Sequence, residues 1–297
     1  MAVSFSGRPP PVTIHDESEV IPMRYALVKS PIAPLYLRPE VPCELADETL
    51  CGWRVEITEE LPGGWCKVKT HYSYTGYLHQ RHLELAEDRP GWWEALPKQV
   101  VTRLTADILN APKVQGACVE TLPRGAWVSP AGPADENGWV PVTLCDGRKG
   151  YTKHSFLGEV IAAWDPADEV QLRERLVRTA LSYMGVQYRW GGRTPLGIDC
   201  SGLCSQAYLM NGILIHRDAR IDPAFSMKPI PRARLDRGDL IFFKGHVAMY
   251  LGEERFVHST GKDGSDGVVI NSLDPTAPNY RQDLAEGILE MGSIFRV

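Results

Sequence analysis

The chain has 297 residues, a formal net charge of −5, and 43% apolar against 23% charged residues. That length suits two or three compact units, each able to bury a core of its own. The mildly acidic balance supplies no broad basic surface, so neither nucleic acid nor an anionic membrane is expected as the main partner, and no stretch approaches the roughly 20 apolar residues of a membrane span.

Residues 1–21 read as an N-terminal extension with neither a charged leader nor an apolar run of signal-peptide length. The expected location is therefore cytoplasmic, and it becomes extracellular only if a leader has been removed. The seven cysteines, Cys43, Cys51, Cys66, Cys118, Cys145, Cys200 and Cys204, are odd in number and show no zinc-ribbon pairing. Reduced thiols fit this better than a disulfide framework.

Residues 22–88 hold short β-prone runs, "YALVKS", "WRVEITEE", "WCKVKT" and "TGYLH", separated by Pro and Gly clusters of the kind that make turns. Residues 95–160 repeat the theme with "KQVVTRL", "AWVSP", "GWVPVTL" and "KGYTKHSFL". Gly64-Trp65 precedes Gly76-Tyr77 by the interval that separates Gly138-Trp139 from Gly150-Tyr151, which marks an internal duplication. Two small tandem β-barrels are expected, similar to bacterial SH3-like domains, with these aromatics serving core packing before any ligand. Between them "RPGWWE" reads as a linker, its Trp92 and Trp93 packed at a domain seam.

After the second barrel "WDPADEVQLRERLVRTALSYMG" changes period. Asp165 suits an N-cap, Pro166 the first helical position and Gly185 the C-terminal cap. Leu172, Leu176, Val177, Ala180, Leu181 and Met184 recur at helical spacing, so an amphipathic helix opens a third unit at residues 165–297.

That unit carries the chemistry. "VQYRWGGRTPLGIDCSGLCSQAYLMNG" runs through a turn-rich loop into Asp199-Cys200-Ser201-Gly202 and a helical pattern of Leu203, Ala207 and Met210. A cysteine at a helix start meets unpaired N–H groups and the positive end of the helix dipole, which favour a thiolate and can receive an oxyanion. "DLIFF", "HVAMYLG" and "RFVHSTG" read as successive antiparallel strands, with His246 opening one and His258 inside the next. Cys200, His246 and His258 can thus supply a nucleophile, a base and a group that fixes the base's tautomer.

Tyr188, Trp190-Gly191-Gly192, Asp199-Cys200-Ser201-Gly202, Gly238-Asp239, His246-Val247 and His258 together resemble the motif set of the NlpC-type papain-like cysteine peptidases, which cut peptidoglycan stem peptides. With two SH3-like domains in front, the chain is similar to the γ-D-glutamyl-L-diamino acid endopeptidases of the YkfC type. The resemblance implies an α+β fold, a papain-like peptidase domain behind two small barrels, with Cys200 as nucleophile, His246 as general base and acid, and His258 as orienting group. It further implies that Tyr188 helps to hold the oxyanion or substrate, and that Asp199, Ser201 and Ala219 line the groove. Asp218 would bind the free amine of the stem peptide as a buried carboxylate. Tyr74 of the first barrel would close the groove, with Glu40 as a second acid near the amine.

The implied substrate is a small murein peptide such as L-Ala-γ-D-Glu-diamino acid, with no metal and no organic cofactor. Three alternatives stay open at this point: a secreted hydrolase acting on polymeric peptidoglycan, acyl transfer to an amine, and a non-catalytic wall-peptide binding protein. A buried inert Cys200, and a metal set of Cys200, Cys204 and His216, are the blander readings of the same residues. His15, His71, His79, His82, His154 and His216 show no partner pattern and read as surface or structural.

Overall fold

A computed structural model describes residues 24–295; the expected extension 1–21, with His15, lies outside the described residues. The first unit is a seven-stranded antiparallel sheet of β1 (Arg24–Val28), β2 (Ile32–Tyr36), β3 (Leu45–Leu50), β4 (Arg54–Leu61), β5 (Trp65–Thr70), β6 (Thr75–His79) and β7 (Leu83–Glu84). Strand β5 shows why these runs extend: Cys66, Val68 and Thr70 alternate inward while Trp65, Lys67 and Lys69 face outward.

The second unit repeats this plan with β8 (Gln99–Val101), β9 (Thr105–Leu109), β10 (Cys118–Pro123), β11 (Trp127–Pro130), β12 (Trp139–Thr143), β13 (Lys149–Lys153) and β14 (Leu157–Glu159). The spatial orders, 3-2-6-5-4-1-7 and 10-9-13-12-11-8-14, are the same order displaced by seven strands. The register agrees as well, since Trp65 lies opposite His79 and Trp139 opposite Lys153. The Gly-Trp and Gly-Tyr spacing is therefore the trace of one hairpin used twice.

Residues 89–94, which connect the two β units, form a helix, α1 (Arg89–Ala95), with Pro90 in its first turn. Trp93 is buried and donates its indole N–H to Gly52 O at 2.8 Å, while Trp127 N donates to Cys51 O at 2.9 Å. The Trp127–Cys51 bond, with Trp53 Nε1 donating to Gly125 O at 3.0 Å, joins the β units, the Trp93 bond ties α1 to the first, and one hydrophobic cluster runs through both.

In the third unit Asp165 caps a short 3₁₀ turn by accepting from Ala167 N, and α2 (Glu169–Leu181) follows. Its stripe of Leu172, Leu176, Val177 and Ala180 is buried, but Met184 lies beyond the helix end and is exposed. A two-stranded ribbon, β15 (Arg193–Thr194) and β16 (Gly197–Ile198), leads into α3 (Cys200–Leu209), which is buried on every side from Cys200 to Tyr208. Its buried polar side chains Ser201 and Gln206 are met by Arg217 and Arg193, so the helix can sit in the core.

The sheet beneath has the order β17 (Lys228–Ile230), β22 (Ile288–Ser293), β18 (Leu240–Phe243), β19 (His246–Gly252), β20 (Arg255–Thr260) and β21 (Gly267–Ser272), and α4 (Gln282–Ala285) precedes its last strand. One cluster binds α2 and α3 to this sheet, and a smaller one, with Ile241, Phe243, Phe256 and Met291, packs Leu284 and Ala285 of α4. A helix carrying the cysteine is thereby laid against a sheet carrying both histidines.

Candidate active site

Cys200 is the first residue of α3, and Asp199 is its N-cap, accepting from Gly202 N at 2.5 Å. A Cβ at position 202 would stand 2.2 Å from Gly192 O, so only glycine lets the first turn of α3 press against the Gly-Gly loop. The loop reciprocates, with Gly191 N donating to Asp199 Oδ2 at 2.8 Å. Motif glycines at 191, 192 and 202 thus fix the cap that fixes the cysteine.

The thiol is buried and receives the backbone N–H groups of Val247 and Ser201, which seats it beside the start of β19. Burial pushes it up to about 11, and the Asp199 carboxylate adds to this, outweighing those N–H groups and the Arg217 charge. Here the expectation of a resting thiolate is corrected: desolvation beats the helix end, and Cys200 is a thiol at neutral pH.

His246 Nε2 and His258 Nδ1 are 2.7 Å apart, and His258 Nε2 lies 2.8 Å from Asn271 Oδ1. Asn271 Nδ2 donates to the carbonyl of Asn279 at 3.0 Å, which aims its Oδ1 at His258. That oxygen requires the proton on His258 Nε2, so neutral His258 presents Nδ1 as an acceptor. His246 must then carry its proton on Nε2, leaving Nδ1 as the free basic nitrogen. Burial pulls His246 down to about 4, with the Arg281 charge adding, and His258 down to about 3, with the His246 charge adding. Both imidazoles are neutral at neutral pH.

A cleft of about 370 Å³ opens onto Cys200. Tyr188, Asp199, Ser201, Asp218, Ala219 and Tyr74 all line it, and Trp190 forms an exposed wall, 60% accessible. Burial and the neighbouring Cys200 and Asp199 raise the Tyr188 phenol, which stays a proton donor. Tyr74 donates to Asp218 Oδ1 at 2.9 Å across the boundary between the first unit and the third. Asp218 is not the buried carboxylate expected, because its side chain is 46% exposed at the lip, with Arg220 only loosely paired to it at 3.5 Å.

Glu40 is not a lining residue. The loop between β2 and β3 closes with Leu37 N donating to Glu44 O, which sends Glu40 to the solvent tip, paired with Arg38 at 2.6 Å. Glu44, at the base of that loop, lines the cleft with Leu37, Leu45 and Ala46. Cys204 is buried in the helix core and His216 packs on Phe225, and among the described residues no cluster of His, Cys, Asp and Glu is arranged for a metal ion.

Sequence reasoning missed the charged network beneath the cap. Arg217 grips both oxygens of Asp199 at 3.0 and 3.1 Å and Ser201 Oγ at 2.7 Å. Its Nε reaches Asp47 Oδ1 of β3 at 2.7 Å, and Arg193 clamps the same carboxylate at 2.8 and 2.7 Å. Tyr72 adds a fourth bond to Asp47 at 2.6 Å. Burial alone would push Asp47 up, but the two guanidinium charges hold it below the usual carboxylate range. The Arg-Asp pair in "HRDAR" and the acidic pair in "LADETL" were the signals, and neither says which partner it meets.

Residues 185–284 match the NlpC/P60 family. The chain is 42% identical over 272 residues to a protein of Lysinibacillus sphaericus named dipeptidyl-peptidase 6, covering 91% of this chain and 99% of that one. It is 32% identical to a γ-D-glutamyl-L-lysine dipeptidyl-peptidase of Bacillus cereus, over 82% of this chain and 74% of the other. A crystal structure of an NlpC/P60 family protein from Bacillus cereus superposes with a TM-score of 0.73 at 20% identity, covering 92% of this chain and all of that one, a likeness of fold.

Proposed function

Since the chain belongs to the NlpC/P60 family of cysteine peptidases, we propose that it hydrolyses the γ-D-glutamyl–diamino acid bond of peptidoglycan stem peptides whose N-terminal L-Ala is free. In this reading the β units are SH3-like barrels spanning 22–88 and 95–160, the peptidase spans 165–297, and the first barrel walls off one end of the cleft.

His246 Nδ1 takes the thiol proton as Cys200 Sγ bonds to the γ-carbonyl carbon of D-glutamate. Tyr188 and the first-turn N–H groups of α3 are the donors near the resulting oxyanion. Collapse breaks the C–N bond, and the imidazolium gives its proton to the departing amine of the diamino acid. Water, deprotonated by His246, then releases L-Ala-γ-D-Glu and restores the thiol. Asp199 and Ser201 hold the cap, and Ala219 shapes the groove beside Asp218.

The observation that carries the specificity is the Tyr74–Asp218 pair. A carboxylate with a phenol beside it, at the lip of a small cleft, suits an ammonium, and an acylated amine offers that carboxylate no charge partner. A small soluble peptide as substrate suits recycling of released wall fragments inside the cell.

The test is mass spectrometry of L-Ala-γ-D-Glu-meso-diaminopimelate and its N-acetylated twin, each with the wild type and with Cys200→Ala. Cleavage of the free-amine peptide alone, lost in the variant, is the expected result. Cleavage of both peptides, or of intact sacculi in preference, would put hydrolysis of polymeric wall ahead.

A further inference from the structure

The lip of the catalytic cleft carries two opposite charges side by side. Asp218 and Arg220 both line the cleft, with side chains 46% and 57% exposed, and Arg220 N donates to Asp218 O at 2.7 Å in the turn that joins them. Glu44, Asp199 and Asp218 make the lining acidic, against Arg217 and Arg220. Arg217 is buried and fully engaged by Asp47, Asp199 and Ser201. Arg220 is therefore the accessible cation of the lining.

Its neighbours hold Arg220 poorly. Nη1 is 3.5 Å from Asp218 Oδ2 and Nη2 is 3.6 Å from Asp222 Oδ2, both longer than the about 2.7–3.2 Å of a well-formed bond. Nη2 also lies 3.0 Å from His216 Nε2, but that contact supplies no acceptor. His216 Nδ1 accepts from Asp218 N at 3.1 Å, so the neutral ring carries its proton on Nε2 and two donors face each other. The guanidinium thus keeps donors free for a ligand that enters the cleft.

A γ-linked glutamate leaves its α-carboxyl group outside the peptide chain, so the substrate proposed above brings a carboxylate into this acidic lining. Resting on that reading, we infer that Arg220 binds the α-carboxylate of the D-glutamate and makes the enzyme selective for stem peptides in which this group is not amidated. The L-Ala ammonium and the α-carboxylate are one peptide unit apart, about 7 Å at most, so one ligand can meet Asp218 with the first and Arg220 with the second. A planar guanidinium matches a carboxylate with two parallel bonds. The α-amide, D-isoglutamine, has no charge and turns N–H donors toward a group that cannot accept.

The test compares kcat/KM for L-Ala-γ-D-Glu-meso-diaminopimelate and for the same tripeptide with D-isoglutamine in place of D-glutamate, using wild type, Arg220→Gln and Arg220→Lys. The wild type should favour the free acid by about tenfold, the low end for a charge-assisted bond at an exposed side chain. Arg220→Gln should bring the ratio below about threefold, and Arg220→Lys, which keeps the charge and loses the fork, should fall between. The wild-type preference should also shrink as sodium chloride is raised to about 1 M, where an exposed pair is screened. Melting temperatures check that the variants fold. Equal cleavage of both peptides by the wild type, or a preference that persists in Arg220→Gln, would overturn the inference and leave the peptidase reading standing. Failure of the wild type to cut either peptide would remove both.

Discussion

Arg217 ties two units together: its Nε meets Asp47 of the first unit at 2.7 Å while its terminal nitrogens hold Asp199, the cap of the cysteine helix, at 3.0 and 3.1 Å. Asp47 also neutralises Arg193, and all three side chains are buried. Breaking a buried pair by removing one partner leaves a charge uncompensated, at a cost of about 3–5 kcal/mol. Asp47→Ala should therefore destabilise the whole chain by that order and loosen the Asp199 cap. Urea unfolding of Asp47→Ala and of Asp47→Asn, which keeps the shape but not the charge, is the measurement. A loss below about 1 kcal/mol for both would refute a central role for the network.

The relay from Asn279 through Asn271 and His258 to His246 sets which nitrogen of His246 is basic. Asn271→Ala removes one neutral hydrogen bond, worth about 1 kcal/mol, so kcat should fall roughly fivefold with little change in KM. Asn271→Asp puts a carboxylate against His258, which favours the imidazolium and raises both linked histidines. The acid limb of the pH–rate profile should then move upward from the region of pH 4, where burial holds His246 in the wild type. Unchanged profiles for both variants would mean that Asn271 serves packing alone.

Why the sequence reveals Cys200, His246 and His258 but not Asn271 or Asp47 follows from where each signal is stored. The cysteine sits between a cap residue and a glycine required by a 2.2 Å approach, and each histidine sits in a strand of strong β-formers, so local pattern suffices. Asn271 matters only because β21 lies beside β20, with His258 opposite Val269, a pairing that no local pattern encodes. Asp47 and Glu48 are worse disguised. Their strand, "LADETL", buries two carboxylates against arginines more than 140 residues away, and hydropathy reads such a run as a loop. The same reasoning explains Glu40 and Glu44, since only the Leu37–Glu44 closure decides which acid faces the cleft.

Three buried histidines make folding sensitive to acid. His71, His246 and His258 are held at about 3, 4 and 3, below the roughly 6.5 of an unfolded chain. Between about pH 6.5 and 4 the unfolded chain binds more protons than the folded one, so stability is full above this window and falls as pH drops through it. The melting temperature should decline steadily over that range, and His71→Phe should remove about a third of the slope. A flat profile across the window would show that these rings are solvated and titrate normally.

The last prediction concerns the substrate's own amine. If Asp218 and Tyr74 bind an ammonium, kcat/KM must fall at alkaline pH as the free peptide loses its proton, near the pKa of about 7.7–8.0 of an α-amino group. No protein group in the proposed machinery accounts for a limb there, because His246 is neutral far below it and Cys200 titrates only near 11. Asp218→Asn removes a charge-assisted bond worth about 1.5–3 kcal/mol, so kcat/KM for the free-amine tripeptide should drop about 10- to 150-fold and its alkaline limb should flatten. The N-acetylated twin, which the wild type is expected to leave intact, should stay intact with the variant, because that peptide never presents the charge. Tyr74→Phe should act in the same direction but more weakly, since it leaves the carboxylate in place and loses one neutral donor. If the alkaline limb survives Asp218→Asn, the ammonium is held by another acid, and Glu44, which also lines the cleft, becomes the residue to change.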